Sequence, residues 1–162
     1  MNGVDIGDLA VAVALTYLLG FERDLRGAAA GDRVFALIGA GSGLIGIIAS
    51  HGAPNALAGA ITGIGFIGGG LVFRQTTAKI EVITGITTAA AIFAAAAIGA
   101  AAGEGRLLLA TVGTALALLV LEIRHISWLS WLDGKHWASR FAADDRSSVP
   151  GDGNDPGSER YE

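Results

Sequence analysis

The stretch Val34–Phe73, VFALIGAGSGLIGIIASHGAPNALAGAITGIGFIGGGLVF, contains no Asp, Glu, Lys or Arg. Two more uncharged stretches follow it, Val82–Gly103 and Leu107–Leu121. Charged residues make up only 16% of the 162-residue chain, against about 25% in a typical soluble domain. A soluble fold of this size needs charged faces on most of its helices. The uncharged stretches therefore indicate an integral membrane protein whose first partner is the lipid bilayer.

The uncharged stretches divide into segments of the length that a membrane helix requires. A bilayer core about 30 Å thick needs about 17–25 mostly apolar residues per helix, whereas residues 34–73 as one helix would measure about 60 Å. The Pro54-Asn55 pair interrupts this stretch and predicts a helical hairpin. The sequence therefore predicts an all-α, polytopic membrane helix bundle within residues 1–123, with five spans at Val4–Phe21, Val34–Ser50, Ala56–Phe73, Ile83–Ala102 and Leu107–Ile123.

The basic residues lie on one side of these predicted spans. Of the eleven lysines and arginines, three fall in the loop after the first span, two in the loop after the third and five in the C-terminal tail. Only Arg106 falls on the opposite side. Because loops rich in Lys and Arg stay in the cytoplasm, we expect the N-terminus outside and the C-terminus inside the cell.

The tail that follows the last span divides into two segments. Residues 124–143 contain Trp128, Trp131 and Trp137 beside basic residues, which favours a juxtamembrane helix in the headgroup region. An irregular linker is the alternative. Residues 144–162 are acidic and rich in Pro, Gly and Ser, a composition that buries too little apolar surface to fold alone, so we expect disorder there.

The sequence contains no pattern typical of catalysis or of nucleic-acid binding. The absence of cysteine and the net charge of −4 exclude thiol chemistry and argue against nucleic acid as a partner. No Ser–His–acid set and no His-Glu-x-x-His motif occurs, so we expect no enzymatic activity and no organic cofactor. His51, His125 and His136 fall on both sides of the membrane in the predicted topology and cannot form one three-histidine metal centre.

Glycines are concentrated in the second and third spans, where two stretches match G-x-G-x-x-G: Gly41–Gly46 and Gly63–Gly68. Inside an uncharged span this spacing favours close helix packing over nucleotide binding, because small residues let two backbones approach. The same argument applies to the Gly39/Gly43 pair. A helix break at Gly68–Gly70 is the alternative. We expect a glycine-rich helix contact formed by Gly63, Gly65, Gly68 and Gly69.

Ionisable residues at the ends of the spans are the candidates for chemistry. Acids at membrane depth are costly and indicate function by default, although a residue at a span end can also lie in the interface. Asp8 and Glu22, at opposite ends of the first span, are the candidate metal ligands. Thr87 and Thr88 begin the fourth span and could add hydroxyl oxygens for a hard cation such as Mg²⁺, although threonine hydroxyls in membrane helices often bond to their own backbone.

Three short blocks occur in order along the spans: LGFERD at Leu19–Asp24 followed by AGDR at Ala30–Arg33, GIGFIGGG at Gly63–Gly70, and GITTAA at Gly85–Ala90 followed by AAIG at Ala96–Gly99. They resemble the G-x-E-R-E and A-G-x-R elements, the G-I-G-F-L-G-A-G block, and the G-L-T-T-A-A and A-A-I-G elements of the MgtC/SapB family of bacterial membrane proteins. Each block alone is a weak signal, whereas the ordered set is specific and covers roughly residues 9–121.

The resemblance implies a five-helix, multi-pass protein of a bacterial or archaeal inner membrane. It also implies a role in Mg²⁺ homeostasis or in adaptation to low Mg²⁺ and acid stress, exerted on another membrane complex such as the ATP synthase. A homo-oligomer is a further expected assembly. A small Mg²⁺ transporter or channel, with Mg²⁺ as ligand or cargo, is the alternative. By analogy, the functional charged cluster is formed by Glu22, Arg23, Asp24 and Arg33.

The chain departs from the family pattern at several positions. Asp24 stands where Glu is usual, Val34 and Phe35 stand where Thr and His are common, and Thr84 stands where a basic residue often precedes the threonine block. Many members carry a folded cytoplasmic domain that resembles ACT regulatory modules. We expect only a short tail here, so regulation of that kind would be missing or supplied by another protein.

Overall fold

The computed structural model describes residues 3–77 and 80–123 of the chain. Within these ranges five helices follow one another, one at the place of each predicted span, which confirms the all-α membrane bundle. Their order is α1 Gly3–Leu25, α2 Asp32–Ser50, α3 Asn55–Leu71, α4 Ile86–Gly103 and α5 Leu107–Glu122. The predicted orientation in the membrane stays a prediction.

The helices differ in how well their length suits a bilayer. Helices α1, α2 and α4, with 23, 19 and 18 residues, are long and apolar enough to cross a membrane. Helices α3 and α5 are also apolar but have only 17 and 16 residues, about 24–26 Å at the rise of an α-helix. Three of the five predicted spans therefore have full membrane length and two lie at its lower limit.

The first helix is longer than the predicted span. It continues past Phe21 to Leu25, so the charged residues that follow Phe21 belong to its last turns and not to a loop. Glu22 and Arg26 lie one turn apart, a spacing at which opposite charges support the helix. Gly27, with φ 64°, then ends it, because glycine adopts the left-handed conformation without steric cost.

A β-hairpin connects α3 to α4, where the sequence analysis expected a polar loop and an earlier start of the fourth span. Strands β1 (Phe73–Thr77) and β2 (Ile80–Thr84) pair antiparallel, with Phe73 opposite Thr84. Both strands are rich in β-branched residues, which favour extended backbone. Gly85, with φ 88°, begins α4 in tight contact with the carbonyl oxygen of Leu71, a position that only glycine fits.

Helices α1, α2 and α4 form the core of the bundle. Helix α1 places a stripe of small and apolar residues, among them Ala12, Thr16 and Leu19, in its buried face. Gly39 of α2 lies directly on the hydroxyl of Thr16, and a Cβ at Gly39 would come within 2.9 Å of the carbonyl oxygen of Ala12. The close approach predicted for the Gly39/Gly43 spacing is therefore found, between α1 and α2.

The contact between α2 and α4 is closer still, because glycine backbones meet backbone atoms of the opposite helix. Gly46 lies against the carbonyl of Ala100, and Gly103 lies against the carbonyl of Gly43. A Cβ added at Gly99 would come within 3.1 Å of the Cα of Gly39. This Gly99/Gly103 pair, which the sequence analysis did not single out, has the small-xxx-small spacing of a close helix crossing.

Helices α3 and α5 lie on the outside of this core. Helix α3 has no buried residue, and a groove of about 490 Å³ separates part of it from α2. Helix α5 buries only Ala110 and Thr114; it approaches α4 where Gly113 faces Ile98, with 3.3 Å between a Cβ position at Gly113 and the nearest carbon of Ile98. The bundle is therefore a three-helix core with two helices that are less firmly packed.

The bundle belongs to a structural unit that comprises Met1–Val120. The second unit, Leu121–Glu162, begins with the last residues of α5. The predicted interfacial segment at residues 124–143 and the predicted disordered tail at residues 144–162 lie outside the described residues, so both stay predictions.

A buried ion-pair cluster as the candidate functional site

The structure places Glu22 in the buried face of α1, near the end of the bundle that carries the α1–α2 loop and the β-hairpin, here called the hairpin end. Its side chain is only 10% exposed. The carboxylate continues the same stripe as Ala12, Thr16 and Leu19, because these positions recur at helical spacing. Glu22 is therefore a charged residue at a position that packing alone would fill with an apolar side chain.

Two arginines hold the Glu22 carboxylate. Arg23 Nη1 lies 3.4 Å from Oε2, and Arg26 Nε lies 3.5 Å from Oε1. The Arg23 side chain is nearly as buried as that of Glu22, whereas the Arg26 side chain is 35% exposed. The carboxylate is thus in contact with two guanidinium groups. We call these three residues the Glu22 cluster.

The contacts in the Glu22 cluster are electrostatic rather than well-formed hydrogen bonds. Both carboxylate oxygens of Glu22, and Nε of Arg23, are shielded from solvent and have no hydrogen-bond partner among the described residues. Buried charges and polar atoms usually find such partners, so orphaned atoms indicate a place where water or another group completes the site. The cluster is thus costly for folding alone.

The charged cluster predicted from the sequence divides into two places. Glu22 and Asp24 are two residues apart, which turns their side chains about 200° from each other around the helix. Asp24 lies against the backbone of Gly31 and, with Asp32 and Arg33, lines a separate polar pocket of about 380 Å³. Asp32 Oδ1 accepts a hydrogen bond from the backbone N–H of Arg33. The structure therefore brings together Glu22 and Arg23, and separately Asp24 and Arg33.

Arg26 belongs to the Glu22 cluster but is absent from the charged cluster predicted above, although its i,i+4 spacing from Glu22 is typical of an ion pair on a helix. The family motif that defines the predicted charged cluster ends before Arg26. Helical periodicity, extended four residues past the predicted span, would have included it.

The two threonines at the start of α4 differ in burial. Thr88 is 5% exposed, at the hairpin end like Glu22, whereas Thr87 is exposed. Consecutive helix positions are about 100° apart, so the pair cannot face one site together. Of the two, only Thr88 points into the bundle.

The glycines of α3 make few close contacts with the described part of the chain. A Cβ added at Gly63, Gly65 or Gly69 would meet no atom within 4 Å in the part of the chain that the structure describes, and Gly68 alone of the four meets another helix, at Ala89 of α4. Within one chain the predicted glycine-rich contact is thus made at Gly68 only, because α2 and α4 form the close crossing instead. Helix α3 runs unbroken through Gly68–Gly70, so the alternative of a helix break is wrong.

The two candidate metal ligands lie far apart. Asp8 and Glu22 share the buried face of α1, but 14 residues of helix separate them by about 21 Å. Asp8 is 8% exposed and lies beside Gly105 in the α4–α5 loop, with Oδ2 3.5 Å from a Cβ position at that glycine. Within residues 3–77 and 80–123 no three acidic or histidine side chains come together, so a metal role for either residue stays a prediction.

The apolar helices and the buried core between them define a membrane protein of several helices. The chain matches the MgtC family over residues 9–127, which is more than half of its length. The protein therefore belongs to the MgtC family, as the three sequence blocks indicated. The Glu22 cluster lies within the matched region, in the first of those blocks.

Relatives from several bacteria match most of the chain. It is 37% identical over 130 residues to "Putative magnesium transporter YhiD" of Escherichia coli (strain K12), an alignment that covers 72% of this chain and 59% of the relative. It is 33% identical to "Protein SrpB" of Synechococcus elongatus, over 76% of this chain and 79% of the relative. It is 32% identical to "Protein MgtC" of Brucella abortus, over 69% of this chain and 48% of the relative.

The chain thus spans little more than half the length of the Escherichia coli relative and about half that of the Brucella relative. No solved structure matches it.

Proposed function

We propose that this protein acts in Mg²⁺ homeostasis, in adaptation to low Mg²⁺ or acid stress, as a multi-pass inner-membrane protein that modulates another membrane complex. The observation that carries the proposal is the Glu22 cluster, a buried carboxylate with two arginines inside the block that matches the MgtC family. Membership of that family and the name of the Escherichia coli relative, a putative magnesium transporter, support the connection to magnesium.

The cost of the Glu22 cluster supports a functional role. Removing a carboxylate and a guanidinium group from water costs several kcal/mol for each ion before their attraction is counted. Here the attraction acts without well-formed hydrogen bonds, because both oxygens of Glu22 lack a donor among the described residues. Apolar side chains of similar volume would give a simpler core. A charge kept at such a position in a membrane helix is typical of a functional site.

The outer face of α3 favours a modulating role over transport. Gly65 and Gly69, about 40° apart around the helix, have open space where a Cβ would stand among the described residues. In a helix each glycine costs about 1 kcal/mol relative to alanine. Their lack of a side chain is not used for packing against the described residues. A second membrane helix could approach closely there, since small residues permit backbone contact between helices. Another copy of this chain or a different complex such as the ATP synthase would supply that helix.

Transport of Mg²⁺ is the second candidate function. The name of the Escherichia coli relative supports it, as do the buried acids Asp8 and Glu22 at opposite ends of one face of α1. The charge balance argues against Glu22 as an Mg²⁺ ligand. Arg23 and Arg26 already contact both of its carboxylate oxygens, and their positive charges disfavour a divalent cation at the same oxygens.

The test of the proposed site is complementation of a deletion strain under Mg²⁺ limitation. The strain carries wild type, Glu22→Gln or the control Glu104→Gln at matched membrane abundance. Glu104 also pairs with an arginine, Arg106 at 3.1 Å, but lies at the opposite end of the bundle. We expect wild type and Glu104→Gln to restore growth and Glu22→Gln to fail. Full rescue by Glu22→Gln would exclude the Glu22 cluster as the site, and a strain without any growth defect would contradict the proposed role in Mg²⁺ homeostasis.

The choice between modulation and transport requires two further measurements. Gly65 on α3 and Gly7 on α1 both have open space around the Cβ position among the described residues, so leucine at either position causes no clash with them. If α3 binds a partner, Gly65→Leu abolishes rescue, whereas the control Gly7→Leu preserves it. Purified protein in liposomes loaded with a Mg²⁺-sensitive dye would show no flux above protein-free liposomes. Mg²⁺ flux together with rescue by Gly65→Leu would favour the transporter.

A further inference from the structure

An apolar groove and a polar pocket meet at the start of α2. The groove, about 490 Å³ in volume, lies between α2 and α3, and the pocket, about 380 Å³ in volume, lies at the hairpin end. Val34 lines both cavities, so they adjoin. We call the first the α2–α3 groove and the second the Arg33 pocket, after the arginine in its wall. Together they set charged and apolar surface side by side at one end of a membrane helix.

The α2–α3 groove has the dimensions and the lining that an acyl chain of one membrane leaflet requires. Along α2 it runs from Val34 to Ile45, about 16 Å of helix, and one leaflet of the bilayer core is about 15 Å thick. The groove is open to the side, since Leu37 in its wall is 74% exposed. Its lining is apolar or glycine apart from Ser42, whose hydroxyl donates to the carbonyl oxygen of Ile38. The groove therefore suits a lipid tail that enters from the membrane.

The Arg33 pocket offers charges of both signs to a group at the membrane surface. Asp24, Asp32 and the exposed Arg33 line it. None of these three side chains forms an ion pair within residues 3–77 and 80–123. A guanidinium group binds phosphate through paired hydrogen bonds, and carboxylates accept hydrogen bonds from an ammonium group. The pocket is therefore complementary to a headgroup that carries both a phosphate and a primary ammonium group.

We propose that the α2–α3 groove and the Arg33 pocket together bind one phospholipid whose headgroup carries a primary ammonium group, of the phosphatidylethanolamine type. The Arg33 guanidinium holds the phosphate, the carboxylates of Asp24 and Asp32 hold the ammonium group, and one acyl chain follows the groove. Lipid tails are as apolar as the groove, so the tail gains little by leaving the bulk lipid. The headgroup contacts therefore decide which lipid is retained. This inference goes beyond the proposed function and does not rest on it.

The groove and Gly65, the glycine proposed to meet a partner helix, lie on different sides of α3. Gly63 lines the groove, and Gly65 lies about 200° further around the helix. A Cβ added at either glycine meets no atom within 4 Å among the described residues. Leucine at Gly63 therefore occupies the groove without a clash at Cβ, whereas leucine at Gly65 leaves the groove open. The two substitutions separate lipid binding from partner binding.

The first test titrates the full chain, purified in detergent, with phosphatidylethanolamine, phosphatidylcholine and phosphatidylglycerol of identical acyl chains, and counts bound lipid by native mass spectrometry. The choline headgroup has no N–H to donate, and the glycerol headgroup has no cation. We expect phosphatidylethanolamine to bind most tightly and Arg33→Gln to weaken it by about three- to tenfold, the range for one hydrogen bond. The control Arg106→Gln, at the opposite end of the bundle, should bind as wild type does. Equal affinity for the three lipids, or an equal loss in both variants, would overturn the proposal.

The second test repeats the titration with Gly63→Leu and Gly65→Leu, after circular dichroism has shown that both variants are as helical as wild type. We expect Gly63→Leu to lose the tight binding of phosphatidylethanolamine and Gly65→Leu to keep it. Undiminished binding by helical Gly63→Leu would overturn the proposal. A wild-type dimer that dissociates in Gly63→Leu would overturn it as well, because a second copy of the chain would then occupy the groove.

Discussion

At the scale of single residues, the glycines of α2 differ sharply in what surrounds them. Gly46 lies on the carbonyl of Ala100, whereas a Cβ at Gly41 would meet no atom within 4 Å in the described part of the chain. A backbone carbonyl cannot rotate away from an added methyl group as a side chain can. The two positions therefore form a matched pair on one helix, with the same residue and the same substitution.

We expect Gly46→Ala to lower the free energy of unfolding by about 1–3 kcal/mol, because the helices must move apart to admit the methyl group. Gly41→Ala should leave it unchanged or raise it by up to about 1 kcal/mol, since alanine favours the helix over glycine. Denaturant unfolding in detergent, followed by circular dichroism, measures both. An equal decrease in the free energy of unfolding in the two variants would show that α2 and α4 cross at a greater distance than in the structure.

The candidate site could be predicted from the sequence only in part. Glu22 and Arg23 stand out as charges at the end of an apolar span, and the family resemblance marks the same residues. The end of the helix determines which charged side chains lie together. Because α1 continues to Leu25, Asp24 points away from Glu22, whereas Arg26 comes within reach of the Glu22 carboxylate. The polar pocket around Asp24 depends on how the α1–α2 loop packs, and no local sequence pattern predicts that packing.

At the scale of elements, α3 and α4 have similar composition but different positions in the bundle. Helix α4 buries eight residues, among them Ile92, Ala95 and Gly99, whereas α3 buries none. An element with little buried surface opens at lower cost than one in the core. We expect the amides of α3 to exchange with deuterium in detergent micelles before those of α4, as measured by mass spectrometry of peptides.

The control for this exchange experiment is α2, a core helix that precedes α3 in the chain and has comparable length. Its amides should exchange as slowly as those of α4. Protection of α3 equal to that of α2 would mean that a partner, such as a second copy of the chain, covers α3 in the micelle.

The helices could be predicted from the sequence because charge-free runs and the breaks between them locate each apolar helix, although α1 extends past its run and α4 begins after the start of its run. The hairpin between α3 and α4 could not, because RQTTAKIE reads equally as a polar loop. Its strands are favoured by β-branched residues. This preference for extended backbone is a weaker signal than the requirement that a membrane-spanning segment be helical. The sequence also could not predict which glycines form the close helix contacts. Helices α2, α3 and α4 all carry glycines at suitable spacings, and only the arrangement of the helices in the bundle decides which of them meet.

At the scale of the whole molecule, the distribution of Lys and Arg predicts the orientation in the membrane, and the absence of cysteine makes that orientation directly measurable. Ala53→Cys in the α2–α3 loop and Ala29→Cys in the α1–α2 loop place single thiols at exposed positions on opposite ends. We expect a membrane-impermeant maleimide to label Ala53→Cys in intact cells and Ala29→Cys only after lysis.

The reverse pattern would invert the predicted topology and place the Glu22 cluster at the outer surface. Wild type, which has no thiol, gives the background of the labelling experiment.

The position of α4 in the middle of the bundle has a consequence for how the chain is made. Helices α1 and α2 leave the ribosome first and can pair at once through Gly39. The groove formed by Ser42, Gly43 and Gly46 then faces lipid until α4 has been synthesised, because α4 is the helix that fills it. Helix α3 emerges in between but lies to one side. Insertion of the fourth helix is therefore the step that completes the core. A nascent chain that stops before α4 is inserted would keep an unfilled glycine groove facing the lipid.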